Sequence, residues 1–151
     1  MNLGQLFSNH VLMSALIAWS LAQVLKIPIH YLQTRERNWS LLFRAGGMPS
    51  SHSALVSATA HGIGLSLGFN SPLFALAVAF ATVVIYDATG IRRQAGRHAT
   101  IINTIVNDFL EGHPEHGSEK LKEVLGHSPA EAAAGVIMGI GITQAYFMVV
   151  V

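Results

Sequence analysis

The chain has 151 residues, of which 51% are hydrophobic and 11% charged, with a formal net charge of +1. This excludes a disordered chain, which needs low hydrophobicity and high net charge, and it lacks the basic footprint of a nucleic-acid binder. With no cysteine, disulfides, thiolate metal sites and a cysteine nucleophile are excluded as well.

Charge is segregated along the chain. The nine basic and eight acidic residues all fall between Lys26 and Glu131, in blocks at 26–44 and 87–131. A soluble helix carries charge along its outer face, whereas a bilayer core about 30 Å thick asks for roughly 20 apolar residues of helix. Four segments approach that length, at about 6–25, 53–69, 73–86 and 132–151. The chain therefore reads as all-α, an integral membrane helical bundle with four predicted spans in one domain, 1–151. Residues 1–25 have no basic start and no clear cleavage site, so they read as a retained span. Asn70-Ser71-Pro72 is a turn signal, which makes the second and third spans a hairpin. A polar helical insertion at about 94–126 separates spans three and four. Within it, Ser118–Leu125 has the amphipathic pattern of an interfacial helix. Gly135 and Gly139 form a GxxxG pair in the fourth span, read as close bundle packing rather than a dimer face. A homo-oligomer stays open.

Topology follows from the basic residues. Four spans put the connections 26–52 and 87–131 on one face, and all nine Lys and Arg residues lie there. The positive-inside rule assigns that face to the cytoplasm and leaves both termini outside.

The same face collects polar chemistry in three stretches. These are Gly46-Gly47-Met48-Pro49-Ser50-Ser51-His52-Ser53, Asp87-Ala88-Thr89-Gly90-Ile91-Arg92-Arg93 and Gly126-His127-Ser128-Pro129-Ala130-Glu131. Phosphoryl transfer needs a nucleophile, a proton donor for the leaving oxygen, and fixed positive charge with N–H donors around the equatorial oxygens. Histidine serves the first two tasks near neutral pH, and arginine matches phosphate bidentately. His52 and His127 each stand at the start of an expected helix, where backbone N–H groups favour an anion.

Pro49-Ser50-Ser51-His52 resembles the Pro-Ser-Gly-His motif of the type 2 phosphatidic acid phosphatase superfamily, which also holds vanadium-dependent haloperoxidases. Gly126-His127 with Glu131 resembles its closing motif. Through GGMPSSHSA, YDATGIRRQAGRHA and GHSPAEAAAG the chain resembles a divergent, short branch of that superfamily over nearly its whole length. The resemblance implies His127 as nucleophile, Glu131 as its orienting carboxylate and His52 as proton donor. It implies phosphate contacts from Arg92 or Arg93, Lys26, Ser50 and Ser51. It also implies a metal-independent, cofactor-free phosphatase acting on a lipid-linked phosphate or diphosphate, with membrane lipid and a phosphorylated lipid-like molecule as partners. The chain departs from the pattern at several points. Gln33 stands seven residues after Lys26 and no Arg-Pro follows, Ser51 replaces Gly, and Glu131 replaces Asp. A long insertion also separates Arg93 from His127. The compact spacing fits Arg92 with His98 instead, which makes His98 the alternative nucleophile, although Ile102 supplies no acid for it.

Plainer readings stand beside these. Ser128-Pro129-Ala130-Glu131 is a capping box with Pro at the first helical position. Arg92, Arg93 and Lys26 can anchor span ends by snorkelling. Asp87 is expected to pair with Arg92 or Arg93, and His61 to hydrogen-bond a neighbouring helix. His113-Pro114-Glu115-His116 reads as solvated loop rather than metal site. Two rival functions remain at this stage. One is a non-catalytic membrane protein binding an anionic head group, and the other is a small carrier using Asp87 and His61.

Overall fold

Among the described residues four helices begin on a side-chain cap. Asn9 Oδ1 accepts from Leu12 N at 3.0 Å, and the Ser50, Ser71 and Ser128 hydroxyls accept from Ser53 N, Phe74 N and Glu131 N at 3.3, 3.2 and 3.3 Å. Each cap satisfies one of the N–H groups that a helix start leaves unpaired. The computed structural model describes residues 4–42, 46–110, 121 and 126–151. After a single turn, α1 (Gly4–Phe7), come α2 (His10–Thr34), α3 (Ser51–Leu67), α4 (Pro72–Thr89), α5 (Ile91–Leu110) and α6 (Pro129–Val150). A 3-10 turn covers Trp39–Leu42. No strand occurs among the described residues.

The centre of the bundle is α3. It packs against α2, α4 and α6, and its buried positions are small: Ser51, Ser53, Ala54, Val56, Ser57, Ala58, Ala60, Gly62 and Gly64. Ala15, Ala18 and Ala22 of α2 are buried too. Gly135 and Gly139 of α6 lie against the Ser50 and Ala54 carbonyls, where a Cβ would collide with backbone. The GxxxG pair thus serves packing inside the bundle, as expected from sequence. Large apolar side chains point outward instead, among them Leu16, Leu76, Phe80, Val83 and Ile137. Small residues inside with bulky ones outside suit a protein whose helices meet closely in lipid.

Among the described residues three helices are long and apolar enough to cross a membrane: α2, α4 running on into α5, and α6. The segment expected as the second span, 53–69, is the 17-residue α3. At 1.5 Å per residue it is about 25 Å long, a little short of the hydrocarbon core. The first expected span, 6–25, becomes a helix that starts at His10 and runs on to Thr34 through Pro28. It stops at Arg35, whose φ of 61° is left-handed and whose N–H reaches the Tyr31 carbonyl. The third and fourth helices begin at Pro72 and Pro129, one and three residues before the expected 73 and 132. The insertion opens as α5, from Ile91. Residues 111–120 and 122–125 lie outside the described residues, and with them the expected His113–His116 loop and all of the Ser118–Leu125 helix except Leu121.

Candidate active site

The site forms where the starts of α3 and α6 meet the end of α4. Two backbone bonds tie these ends together. Ser50 N donates to the Glu131 carbonyl at 3.0 Å, and His127 N donates to the Ala88 carbonyl at 3.0 Å. Gly126 makes the second bond possible, because a Cβ there would strike the Ala88 carbonyl and Arg93 N. Ahead of α3, Gly46 and Gly47 have φ of 101° and 79°, a region that favours glycine, and the Met48–Pro49 peptide is cis. The two glycines turn the chain ahead of Ser50, which caps α3.

His127 is the centre of the arrangement, with 4% of its surface exposed. Its Nδ1 lies 3.1 Å from Glu131 Oε2, which also accepts from Ser128 N at 3.1 Å. Glu131 completes the capping box and holds the imidazole with the same oxygen. Among the described residues His127 Nε2 is buried and makes no hydrogen bond within 3.5 Å, with the Gly47 backbone close enough to the ring to favour its protonated form. Burial pushes the His127 pKa down, against the Glu131 hydrogen bond and charge, which favour the protonated ring. A neutral ring donating from Nδ1 to carboxylate carries its lone pair on Nε2. His52 faces it, with ring centroids 6.4 Å apart.

Positive charge comes from two sides. Lys26 is 1% exposed, and its Nζ lies 3.5 Å from Ser51 Oγ. Arg92 is close enough for its charge to act on His52, as is Lys26. Arg92 Nε donates to Asp87 Oδ2 at 2.6 Å across the Gly90 break, the pairing expected from sequence, and the Arg92 side chain is 60% exposed. Arg93 borders the same corner through its backbone at Gly126. Ser50 and Ser51 are both buried, with the Ser50 hydroxyl engaged by Ser53 N and Oγ.

His98 lies on the exposed side of α5. It lines a hollow of about 390 Å³ with Tyr86, Gly90, Ile91, Gln94 and Ala95. His61 Nε2 lies 2.9 Å from Gln144 Oε1 on α6, the helix-to-helix bond expected for it. The described residues contain no group of three or more His, Asp or Glu arranged to hold a metal ion. Sequence reading did not single out His30, and noted Gln33 only as a departure from the family motif. With Lys26 and Glu131 they line a cavity of about 210 Å³ beside the site. The available signal was helical spacing, since Lys26, His30 and Gln33 fall on one face of α2.

The profile of the Divergent PAP2 family matches residues 7–142. The chain belongs to that family. The uncharacterized membrane protein YuiD of Bacillus subtilis (strain 168) is 43% identical over 155 residues, covering 95% of this chain and 98% of the relative. No solved structure matches the chain. Membership and this relative together identify a helical membrane protein of PAP2-like type, in agreement with the outward apolar surface.

Proposed function

We propose that the protein is a membrane phosphohydrolase that cleaves a lipid-linked phosphate or diphosphate through His127. The observation that carries this reading is the buried His127, with Nδ1 on the half-buried Glu131 carboxylate and Nε2 beside His52 and making no hydrogen bond within 3.5 Å. A histidine that serves packing alone ordinarily has both ring nitrogens satisfied.

The chemistry follows from these positions. Nε2 attacks phosphorus as the bond to the leaving oxygen breaks, and His52 gives that oxygen a proton. Water then attacks the phosphohistidine, His52 takes the water's proton, and the N–P bond breaks to release phosphate and restore both rings. Glu131 fixes the reactive tautomer and favours the cationic ring that develops during transfer. Lys26, Arg92 and Arg93, with the Ser50–Ser51 start of α3, hold the phosphate oxygens. These groups supply nucleophile, acid and charge without a metal.

In this reading all four of α2, α3, α4 and α6 cross the bilayer. The charged face with the site is cytoplasmic, and both termini are outside. The phosphate then sits at headgroup depth while the hydrocarbon stays among the helices.

The test is phosphate release by detergent-purified protein from a panel of lipid phosphates and diphosphates, with chelator present. His52→Ala and His127→Ala are run beside the wild type. Release by the wild type that both substitutions abolish supports the histidine mechanism. Release that survives His127→Ala but fails in His98→Ala would move the nucleophile to His98. No release on any lipid by folded protein would leave a non-catalytic headgroup binder as the better reading.

A further inference from the structure

Helix α5 carries three distinct faces. Gly96, Ala99 and Asn103 are buried, and Asn103 clasps the Leu121 backbone, donating from Nδ2 to the carbonyl and accepting from N, both at 2.9 Å. Arg93, Arg97, Thr100 and Thr104 form a polar stripe at helical spacing. Ile91, Ala95, His98, Ile102 and Ile105 form a third stripe, also at helical spacing, and each of these residues is exposed. Among the described residues α5 packs against no helix but α4. Among the described residues the apolar stripe is thus unpartnered, and Leu121 binds a different face.

The surroundings identify what covers it. The outward stripe of α4, Leu76, Phe80, Val83 and Tyr86, belongs to a helix apolar enough to cross the bilayer, and Tyr86 ends it. Tyrosine is favoured at the membrane–water boundary. Helical dihedrals then break at Gly90, with φ of −101° and ψ of −83°. Tyr86 on α4 and Ile91, Ala95 and His98 on α5 line one hollow in the angle between the helices. The apolar surface of α4 therefore continues onto the apolar stripe of α5 at the level where acyl chains meet headgroups. Residues 91–107 carry three arginines and no acid, the charge that anionic headgroups attract.

We propose that α5 lies on the bilayer as an interfacial helix, with Ile91, Ala95, Ile102 and Ile105 in the acyl boundary and Arg97 toward the headgroups. The occupant of the apolar stripe is the lipid surface rather than a second copy of the chain. This placement keeps the α4–α5 corner with Arg92 at headgroup depth whether or not the site turns over substrate.

The chain has no cysteine, so single introduced thiols report without background. Full-length Ile102→Cys, Ile105→Cys, Arg97→Cys and Thr104→Cys proteins carry a polarity-sensitive fluorophore in vesicles of phosphatidylcholine and phosphatidylglycerol. Ile102 and Ile105 are 46% and 61% exposed, so their replacement opens no core cavity, and circular dichroism checks that each variant keeps its helix content. Labels at 102 and 105 are expected to lose emission to brominated lipid and to resist aqueous iodide. Labels at 97 and 104 are expected to do the reverse. Equal iodide quenching at all four positions would overturn the proposal. Shielding of 102 and 105 that ignores brominated lipid and persists in detergent would also overturn it, in favour of a contact between copies.

Discussion

The Glu131 carboxylate, 3.1 Å from His127 Nδ1, does two jobs with one oxygen, because Oε2 also takes the Ser128 N–H that closes the capping box. In the proposed mechanism catalytic orientation and helix initiation are fused in one side chain, and a substitution can separate them. Glutamine can cap through its amide oxygen but has no charge to hold the required tautomer. Glu131→Gln is expected to keep the wild-type unfolding midpoint and to lower kcat by roughly 10²-fold or more, with KM little changed. Glu131→Ala should show the same loss of kcat and in addition lose about 0.3–1.5 kcal/mol of stability with the cap. Equal kcat for Glu131→Gln and wild type would remove Glu131 from the mechanism.

Asp87 has a different relation to the site. It accepts from Arg92 Nε, which leaves the outer nitrogens of the guanidinium for the phosphate of the proposed substrate. We expect Asp87→Asn to raise KM several-fold while kcat moves less, and Arg92→Lys to do the same through loss of bidentate geometry. Because Arg92 is largely exposed and Asp87 partly so, neither change should cost more than about 1 kcal/mol in stability. Steady-state kinetics on the best lipid phosphate, with thermal unfolding alongside, checks both halves.

The helix starts were legible because their signals are local. Ser71-Pro72 and Ser128-Pro129 with Glu131 mark α4 and α6 to within a few residues, and both caps form. The end of the first helix was not legible. Lys26 reads as the charge that ends a span, yet it is buried against Ser51 and the helix continues for two more turns. A charge taken up inside the bundle cannot be told from a snorkelling one without knowing which helix faces it. At the site, residue type marked His52, His127 and Glu131. The bonds that bring them together run through the Ala88 and Glu131 carbonyls, and backbone groups leave no trace in a sequence. The apolar stripe of α5 was obscured by the arginines interleaved with it, which made the segment read simply as polar.

Close packing on α3 gives a prediction about stability alone. A side chain at Gly139 would meet Ser57 Oγ and the Ala54 carbonyl, and one at Gly135 would meet the Ser50 carbonyl, whereas Gly141 faces open space. Gly139→Val is expected to destabilise the protein by about 1–3 kcal/mol or to prevent folding, as overpacking does. Gly141→Val should be tolerated, which separates the clash from any general effect of valine in this helix. Unfolding midpoints in detergent measure the difference, and matching midpoints for the two variants would contradict the packing described for α6 on α3.

The pH dependence of stability should carry the mark of His127. Its folded pKa lies below the ordinary 6.5 because burial penalises the charged ring more than Glu131 favours it. Above about 6.5 the ring is neutral folded and unfolded, and it contributes no slope. As pH falls below that value the unfolded chain takes up the proton first, so the unfolded state gains and stability declines until the folded pKa is reached. His127→Gln, which cannot titrate, should flatten this part of the curve below about pH 6.5. Denaturation midpoints across that range for the two proteins give the comparison, and parallel curves would mean that the His127 pKa is not lowered in the folded state. In activity the same shift keeps Nε2 unprotonated at acidities where a free imidazole is already blocked. The acid limb of kcat/KM should therefore fall below pH 6.5 wherever nucleophile protonation sets it.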